Sequence, residues 1–139
     1  MSTTHLSVIV IDKHPLMRAA LSTALTSAGS VDVVAEYGSV RDLLTEFGKF
    51  IPNMILFGIG NPGNDELAML HSLRAFFPTT QMLVLVTGEL EGQVERALAL
   101  GADAVLEKTV SRTGLLNQLD LRFNNYLFSK ENANVRVQS

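Results

Sequence analysis

Short runs of consecutive apolar residues alternate along the chain with stretches in which apolar residues recur every three or four positions. Runs of this kind, rich in Val, Ile and Leu, are typical of strands that are buried on both faces of a parallel sheet. We predict five strands, over Leu6 to Ile11, Val31 to Glu36, Met54 to Phe57, Met82 to Val86 and Ala104 to Leu106.

Helical spacing fills the intervals between the predicted strands. Pro15 suits the first turn of one helix, and Ser39 can cap a second, with Asp42 three residues further on. A third helix is predicted near Glu66 to Phe76, because Pro78 stops it. The apolar stripes of a fourth and a fifth helix follow, at Val94, Ala97, Leu98 and Gly101, and at Leu116, Leu119, Phe123, Tyr126 and Leu127.

The regular alternation of strand and helix predicts an α/β fold, a doubly wound three-layer sandwich around a five-stranded parallel sheet. We predict one domain over residues 1–128. The polar residues 129–139 are expected to form a disordered tail or the start of a linker. In such sheets the functional crevice lies beyond the carboxyl ends of the strands. Attention therefore falls on residues 11–14, 58–64, 87–89 and 107–109.

Composition narrows the class of protein further. The net charge of −3 predicts neither a nucleic-acid surface nor an anionic membrane partner. The chain has no cysteine, which excludes disulfides and thiolate metal sites. It has no apolar run long enough for a membrane span, and its first residues lack the blocks of a signal peptide. We therefore expect a cytoplasmic protein.

Four stretches in order carry a resemblance to a known family. They are IDKHPLMRAAL, PNMILFGIGNPG, the VTG that ends the fourth strand, and GADAVLEK. With these spacings, residues 5–125 resemble the receiver domains of two-component response regulators, most closely the LuxR/NarL type. The resemblance implies a flavodoxin-like sheet with strand order 2-1-3-4-5, and a signalling role rather than an enzymatic one.

The resemblance also implies roles for the strand ends, and here the chain departs from the family pattern. A typical receiver has two acidic residues after strand one that hold Mg²⁺, a phosphoacceptor aspartate after strand three, a Thr or Ser after strand four, an aromatic residue on strand five and a Lys after it. The matching positions here are Asp12 and Lys13 for the acidic pair, Gly58 for the acceptor, Thr87, Val105 for the aromatic, and Lys108.

These replacements predict a degenerate phosphoacceptor site. Glycine has no side chain that could accept a phosphoryl group, and Asp12, Lys13 and Lys108 together carry about +1, which repels Mg²⁺. We hypothesise that the Lys13 ammonium pairs with Asp12 in place of the metal. We expect no metal and no cofactor, and the loss of the aromatic at Val105 indicates that the usual output coupling is broken as well.

Two other readings of the same residues remain open. Lys13, Thr87, Lys108 and the backbone at Gly58 could bind a small anion, which would make the chain a ligand sensor. Residues Gly58 to Gly63 also match the G-x-G-x-x-G pattern of dinucleotide-binding proteins, although Pro62 interrupts it and it follows the third strand.

The resemblance further predicts how the domain would act. We expect a phosphorylation-independent regulatory domain that contacts another protein or forms a homodimer, through the face made by helix four, strand five and helix five. The chain itself is not expected to bind nucleic acid or a membrane. A longer parent protein could carry an output domain, such as a helix-turn-helix, and would then be a transcription regulator.

Overall fold

The computed structural model describes residues 6–27, 31–46, 48, 50–59, 64–86 and 92–107. The chain divides into two compact units, residues 1–109 and 110–139, and all of the described residues belong to the first. The predicted fifth helix, the polar residues 129–139 and the domain boundary at residue 128 lie outside the described residues, so they stay predictions.

The described residues form one five-stranded parallel sheet with four helices in alternation. The strands lie in the order β2-β1-β3-β4-β5, as the resemblance implied. Their bounds are β1 (Leu6–Asp12), β2 (Val31–Tyr37), β3 (Met54–Ile59), β4 (Gln81–Val86) and β5 (Ala104–Glu107). The helices are α1 (Pro15–Thr26), α2 (Val40–Glu46), α3 (Asn64–Phe76) and α4 (Gln93–Ala99).

The helices occupy both faces of the sheet. Alternate residues of β1, β3 and β4 pack with α2, α3 and α4 in one hydrophobic core. Its members include Ile9, Ile11, Ile55, Phe57, Val84, Val86, Leu43, Leu70 and Ala97. The intervening residues, such as Val8, Val10 and Leu56, point to the opposite face and are fully buried, which explains why the central strands are apolar at every position. Helix α1 buries Leu21, Ala24 and Leu25 and contacts β1 and β2.

Two predicted helix starts are confirmed. Pro15 lies at the first position of α1, where its missing N–H is not needed. At the start of α2, the Ser39 Oγ accepts a hydrogen bond of 3.0 Å from the backbone N–H of Asp42. Such a cap satisfies one of the donors that a helix start leaves without a partner in the helix.

Strand β3 runs two residues further than predicted, and this moves Gly58 from a loop into the sheet. The backbone of Gly58 lies between Asp12 of β1 and Leu85 of β4, so two neighbouring strands hold it extended. Local preference argued against this assignment because glycine weakens a strand interior. Pairing on both sides outweighs that preference. Likewise, α3 begins at Asn64, two residues before the predicted Glu66.

The edge strand β2 contains an irregularity that no pattern predicted. Val8 of β1 pairs with Val33, but the next residue, Ile9, pairs with Ala35, so Val34 has no counterpart on β1. The extra residue transfers the following side chains to the other face of the sheet. Ala35 and Tyr37 consequently pack against the core beneath α2.

Candidate functional site

The candidate site begins with two neighbouring residues at the carboxyl edge of the sheet. Asp12 is the last residue of β1, and its register partner on β3 is Gly58. Asp12 is fully buried, with 0 % of its surface exposed. The sheet therefore places the residue that matches the family's first acidic position directly beside the residue that matches the acceptor position.

The contacts of Asp12 tie it to the start of α1. Its Oδ1 accepts a 2.9 Å hydrogen bond from the backbone N–H of His14, and the Nδ1 atom of His14 lies 3.4 Å from the same oxygen. The main-chain oxygen of Asp12 accepts a 2.6 Å hydrogen bond from Nη1 of Arg18. Arg18 also reaches β2, where its Nε lies 3.9 Å from Oε1 of Glu36.

The hypothesis that the Lys13 ammonium pairs with Asp12 stays a prediction. Among the described contacts, the Nδ1 atom of His14 lies 3.4 Å from Oδ1 of Asp12, whereas Lys13 is exposed. The reason is local geometry, because successive side chains of an extended segment point in opposite directions. A buried Asp12 consequently directs the following residue toward solvent. His14 and Arg18 lie in the quoted stretch IDKHPLMRAAL, and the helical spacing of Arg18 from His14 was the available signal.

The remaining residues of the predicted site are only partly described. Val105 lies on β5 opposite Val84 of β4, and it is half-buried against the core. Thr87 and Lys108 lie outside the described residues. The roles predicted for these two residues, and the anion-sensing alternative that uses them, stay predictions.

The described side chains at this edge offer fewer carboxylates than the receiver pattern assigns to its magnesium site. Mg²⁺ requires near-octahedral oxygen ligands and binds through one or more carboxylates. At this edge the described residues offer the single carboxylate of Asp12, whose Oδ1 already accepts the His14 N–H, and Gly58 offers no side-chain oxygen. Within the described ranges, no three His, Cys, Asp or Glu side chains come together as a metal site.

The geometry also weighs against the dinucleotide alternative. In that fingerprint the first glycine begins a tight turn after a strand, so that the backbone can approach a pyrophosphate. Gly58 is instead paired within β3 on both sides, and Ile59 is still in the strand. Residues 60–63, which complete the pattern, lie outside the described residues.

Comparison with known proteins gives a consistent family. The family model described as "Response regulator receiver domain" matches residues 8–120. A NarL protein of Mycobacterium tuberculosis, named as a transcriptional regulatory protein, is 30% identical over 109 residues, which cover 78% of this chain and 50% of that protein. The response regulator VraR of Staphylococcus saprophyticus is 24% identical over 120 residues, covering 86% of this chain and 57% of that protein.

Solved structures of related proteins have the same fold. The receiver domain of NarL from Mycobacterium tuberculosis superposes with a TM-score of 0.71 at 29% identity, covering 84% of this chain and 94% of that one. A structure of two RcsB dimers bound to two parallel DNAs has a TM-score of 0.75 at 19% identity, and covers 88% of this chain and 62% of that one. The chain spans about half the length of the curated relatives it matches. None of the helices in the described part has the length and apolar character needed to cross a bilayer.

Proposed function

The chain belongs to the response regulator receiver family, and from that premise we propose that it is a receiver-type signalling domain that works without phosphorylation, through contact with a protein partner or a second copy of itself. A receiver ordinarily signals after a phosphoryl group is attached to the aspartate at the end of its third strand. The residue at that position here is Gly58.

The observation that carries the proposal is the register between β1 and β3. Because Gly58 pairs with Asp12, it occupies the place beside the acidic residue and is not displaced by an insertion or a slip of the strand. If Gly58 lay in a loop, a different path of that loop could bring a neighbouring carboxylate to its place. A residue that is paired on both sides has no such freedom, so the missing nucleophile is not replaced from within β3.

The charge at this edge supports the same proposal. Lys13 stands at the position of the family's second acidic residue, and its exposed ammonium follows directly after the buried Asp12. A cation at the position of a carboxylate removes an attraction for a divalent ion and adds a repulsion that solvent partly screens. We infer that this domain neither needs nor retains Mg²⁺.

The proposed contact surface is the face made by α4, β5 and the predicted fifth helix. Within its described part, Leu98 on α4 is 46 % exposed although it is a large apolar residue. A single exposed leucine is ordinary on a protein surface, so the choice of this face rests on the resemblance to the receiver family. We propose homodimerisation through this face.

The length of the relatives supports a larger context for the domain. We infer that the receiver comprises residues 1–128 and that residues 129–139 begin a linker. The relatives named as regulators, of which this chain covers 50% to 57%, are long enough for a further domain. The linker would lead to an output domain in a transcription regulator. In that arrangement DNA is contacted by the output domain and not by this chain.

Treatment with acetyl phosphate and Mg²⁺, followed by intact-mass measurement, tests the central proposal. The unmodified chain is expected to gain no phosphoryl adduct, because glycine offers no oxygen nucleophile at position 58. The double variant Gly58→Asp with Lys13→Asp restores both missing carboxylates and is expected to gain an adduct when Mg²⁺ is present.

The isosteric double variant Gly58→Asn with Lys13→Asn is the matched control, because it adds similar volume without charge. It should remain unmodified. An Mg²⁺-dependent adduct on the unmodified chain would overturn the proposal, wherever on the chain the phosphoryl group were found.

A further inference from the structure

A cleft opens between α2 and α3, on the side of the sheet where these helices pack. It has a volume of about 370 Å³. The first turn of α2 and the first half of α3 form its walls, and the carboxyl half of β3 forms its floor. The lining residues are Ser39, Val40, Arg41, Phe57, Glu66 and Met69.

Met69 is the lining residue whose side chain can be oxidised. The chain has five methionines and no cysteine, so all of its sulfur atoms are thioethers. Met54 and Met82 lie in the core, with 2 % and 1 % of their surface exposed. Met69 is only half-buried, as is Met17 on α1. The cleft therefore gives a small solute access to Met69 that the two core methionines do not have.

Met69 also takes part in the packing of the fold. It lies against the hydrophobic core, and its neighbours along the cleft, Val40 and Phe57, are 3 % and 2 % exposed. Helices α2 and α3 contact each other in this region. Met69 is thus an apolar side chain at the junction of α2, α3 and β3 that solvent can still reach.

We propose that Met69 is a site of reversible oxidation by hydrogen peroxide or another peroxide, and that its sulfoxide loosens the packing of α3 against α2 and β3. In this reaction a lone pair of the Met69 sulfur attacks one peroxide oxygen. An S–O bond forms, the O–O bond breaks, and the departing oxygen takes up a proton. With hydrogen peroxide the thioether is oxidised by two electrons, and the peroxide is reduced to water.

The loosening follows from the polarity of the product. Oxidation converts a flexible apolar side chain into a polar one, whose oxygen requires a hydrogen-bond donor or water. The side chains of Val40 and Phe57 offer no donor, so the sulfoxide would turn outward or draw water into the cleft. Phe57 directly precedes Gly58 in β3, so the change would reach the strand that carries the lost acceptor position.

Sulfoxide reductases return methionine sulfoxide to methionine, which makes the modification reversible. The inference goes beyond the proposed function and does not depend on it, because Met69 is none of the residues of the degenerate site.

Treatment of the full chain with hydrogen peroxide, followed by peptide mapping in a mass spectrometer, tests the site. We expect Met69 to gain one oxygen at least about tenfold faster than Met54 and Met82, which must wait for the core to open. Met1 lies outside the described residues, and the mapping separates its oxidation from that of the others. Backbone amide shifts should change at residues 40, 57 and 67–70.

Three variants test the consequence. Peroxide should lower the midpoint of urea denaturation in the unmodified chain and in the matched control Met17→Leu, but not in Met69→Leu, which keeps similar volume without the sulfur. Met69→Gln puts a polar group of similar length at the same place, so its midpoint should lie below that of Met69→Leu without peroxide. A sulfoxide reductase should restore the midpoint of the oxidised chain.

The proposal is overturned if Met69 is oxidised no faster than Met54 and Met82. It is also overturned if peroxide lowers the midpoint of Met69→Leu as much as that of the unmodified chain, because the loosening would then come from another residue. Equal midpoints for Met69→Gln and Met69→Leu would show that the cleft accepts a polar group without loosening, which contradicts the proposed effect.

Discussion

At the scale of a single residue, Asp12 has a structural role that requires neither a metal nor a phosphoryl group. Its buried carboxylate accepts the backbone N–H of His14, the residue that caps the start of α1, and so satisfies a donor that the helix leaves without a partner. A negative charge at this end of a helix is also favoured by the helix dipole. This structural role would favour an aspartate here even without a metal or a phosphoryl group at the site.

Tyr37 leads to a prediction at the same scale. Burial raises the pKa of its hydroxyl above the ordinary 10.0, and the charge of Glu46 and a hydrogen bond to Glu46 raise it further. The chain has two tyrosines and no tryptophan, so the variant Tyr126→Phe leaves Tyr37 as the only source of tyrosinate absorbance. In this variant we expect a titration midpoint above pH 10.0.

Adding Glu46→Gln should lower the Tyr37 midpoint, since it removes the charge that opposes ionisation. Between the unfolded and folded pKa values the unfolded chain ionises Tyr37 while the folded chain does not, so stability falls as the pH rises through that window above pH 10.0. A midpoint at or below 10.0, or one indifferent to Glu46→Gln, would contradict the assigned cause.

At the scale of secondary-structure elements, one arginine joins three of them at the amino edge of the sheet. Arg74, in the last turn of α3, donates hydrogen bonds of 2.7 and 3.1 Å to the main-chain oxygen of Gly101 and of 2.8 Å to that of Thr80. Its Nη2 also lies 2.8 Å from Oδ2 of Asp103, which accepts the Met82 N–H at 2.8 Å. The end of α3 and the starts of β4 and β5 are therefore held at one point.

Replacing Arg74 should destabilise the fold. For Arg74→Ala we expect a loss of about 2 to 4 kcal/mol in the free energy of unfolding, because several main-chain acceptors and the Asp103 carboxylate lose a charged donor. Arg74→Lys should recover little of this loss, since an ammonium cannot reproduce the planar fork of donors. Urea denaturation measures both values.

Arg41→Ala is the control for this series, because Arg41 is exposed on α2. It should change stability by no more than about 0.5 kcal/mol. Equal effects of Arg41→Ala and Arg74→Ala would show that the contacts at Gly101 and Thr80 contribute nothing beyond ordinary surface charge.

The helices and strands were largely predictable, but the way in which they pair and pack was not. Apolar runs and helical spacing placed five strands and four described helices, because each pattern reports local burial. The inclusion of Gly58 in β3 and the extra residue at Val34 depend on pairing with neighbouring strands, which local sequence does not report. The same holds for the site, where the resemblance to receiver domains identified Asp12 and Gly58. It did not identify the contact of Arg18 with the main-chain oxygen of Asp12, which depends on how α1 packs.

At the scale of the whole molecule, the question is which surface meets a partner. The described part offers two strongly exposed leucines on different helices, Leu98 on α4 at 46 % and Leu16 on α1 at 86 %. They provide matched probes, since both are the same residue type and only one lies on the proposed contact face.

Light scattering after size exclusion tests the homodimer with these two positions. Leu98→Lys should shift the chain toward monomer by at least about tenfold in the dissociation constant, because a charge would be buried at the contact. Leu16→Lys should leave the dimer intact. A purely monomeric unmodified chain would contradict the dimer, and dissociation by Leu16→Lys alone would assign the contact to α1 instead.

The extra residue in β2 bears on how copies of this protein can associate. Among the described strands, β2 pairs with β1 on one side only, and a flat, open edge of that kind invites the addition of further strands and fibril growth. Val34 interrupts the regular spacing of the backbone groups, and Asp32 and Glu36 place acidic side chains on either side of it. Two such edges brought together would meet with mismatched hydrogen bonds and like charges. The irregularity and the acidic side chains thus make the β2 edge a poor template for the addition of a further strand.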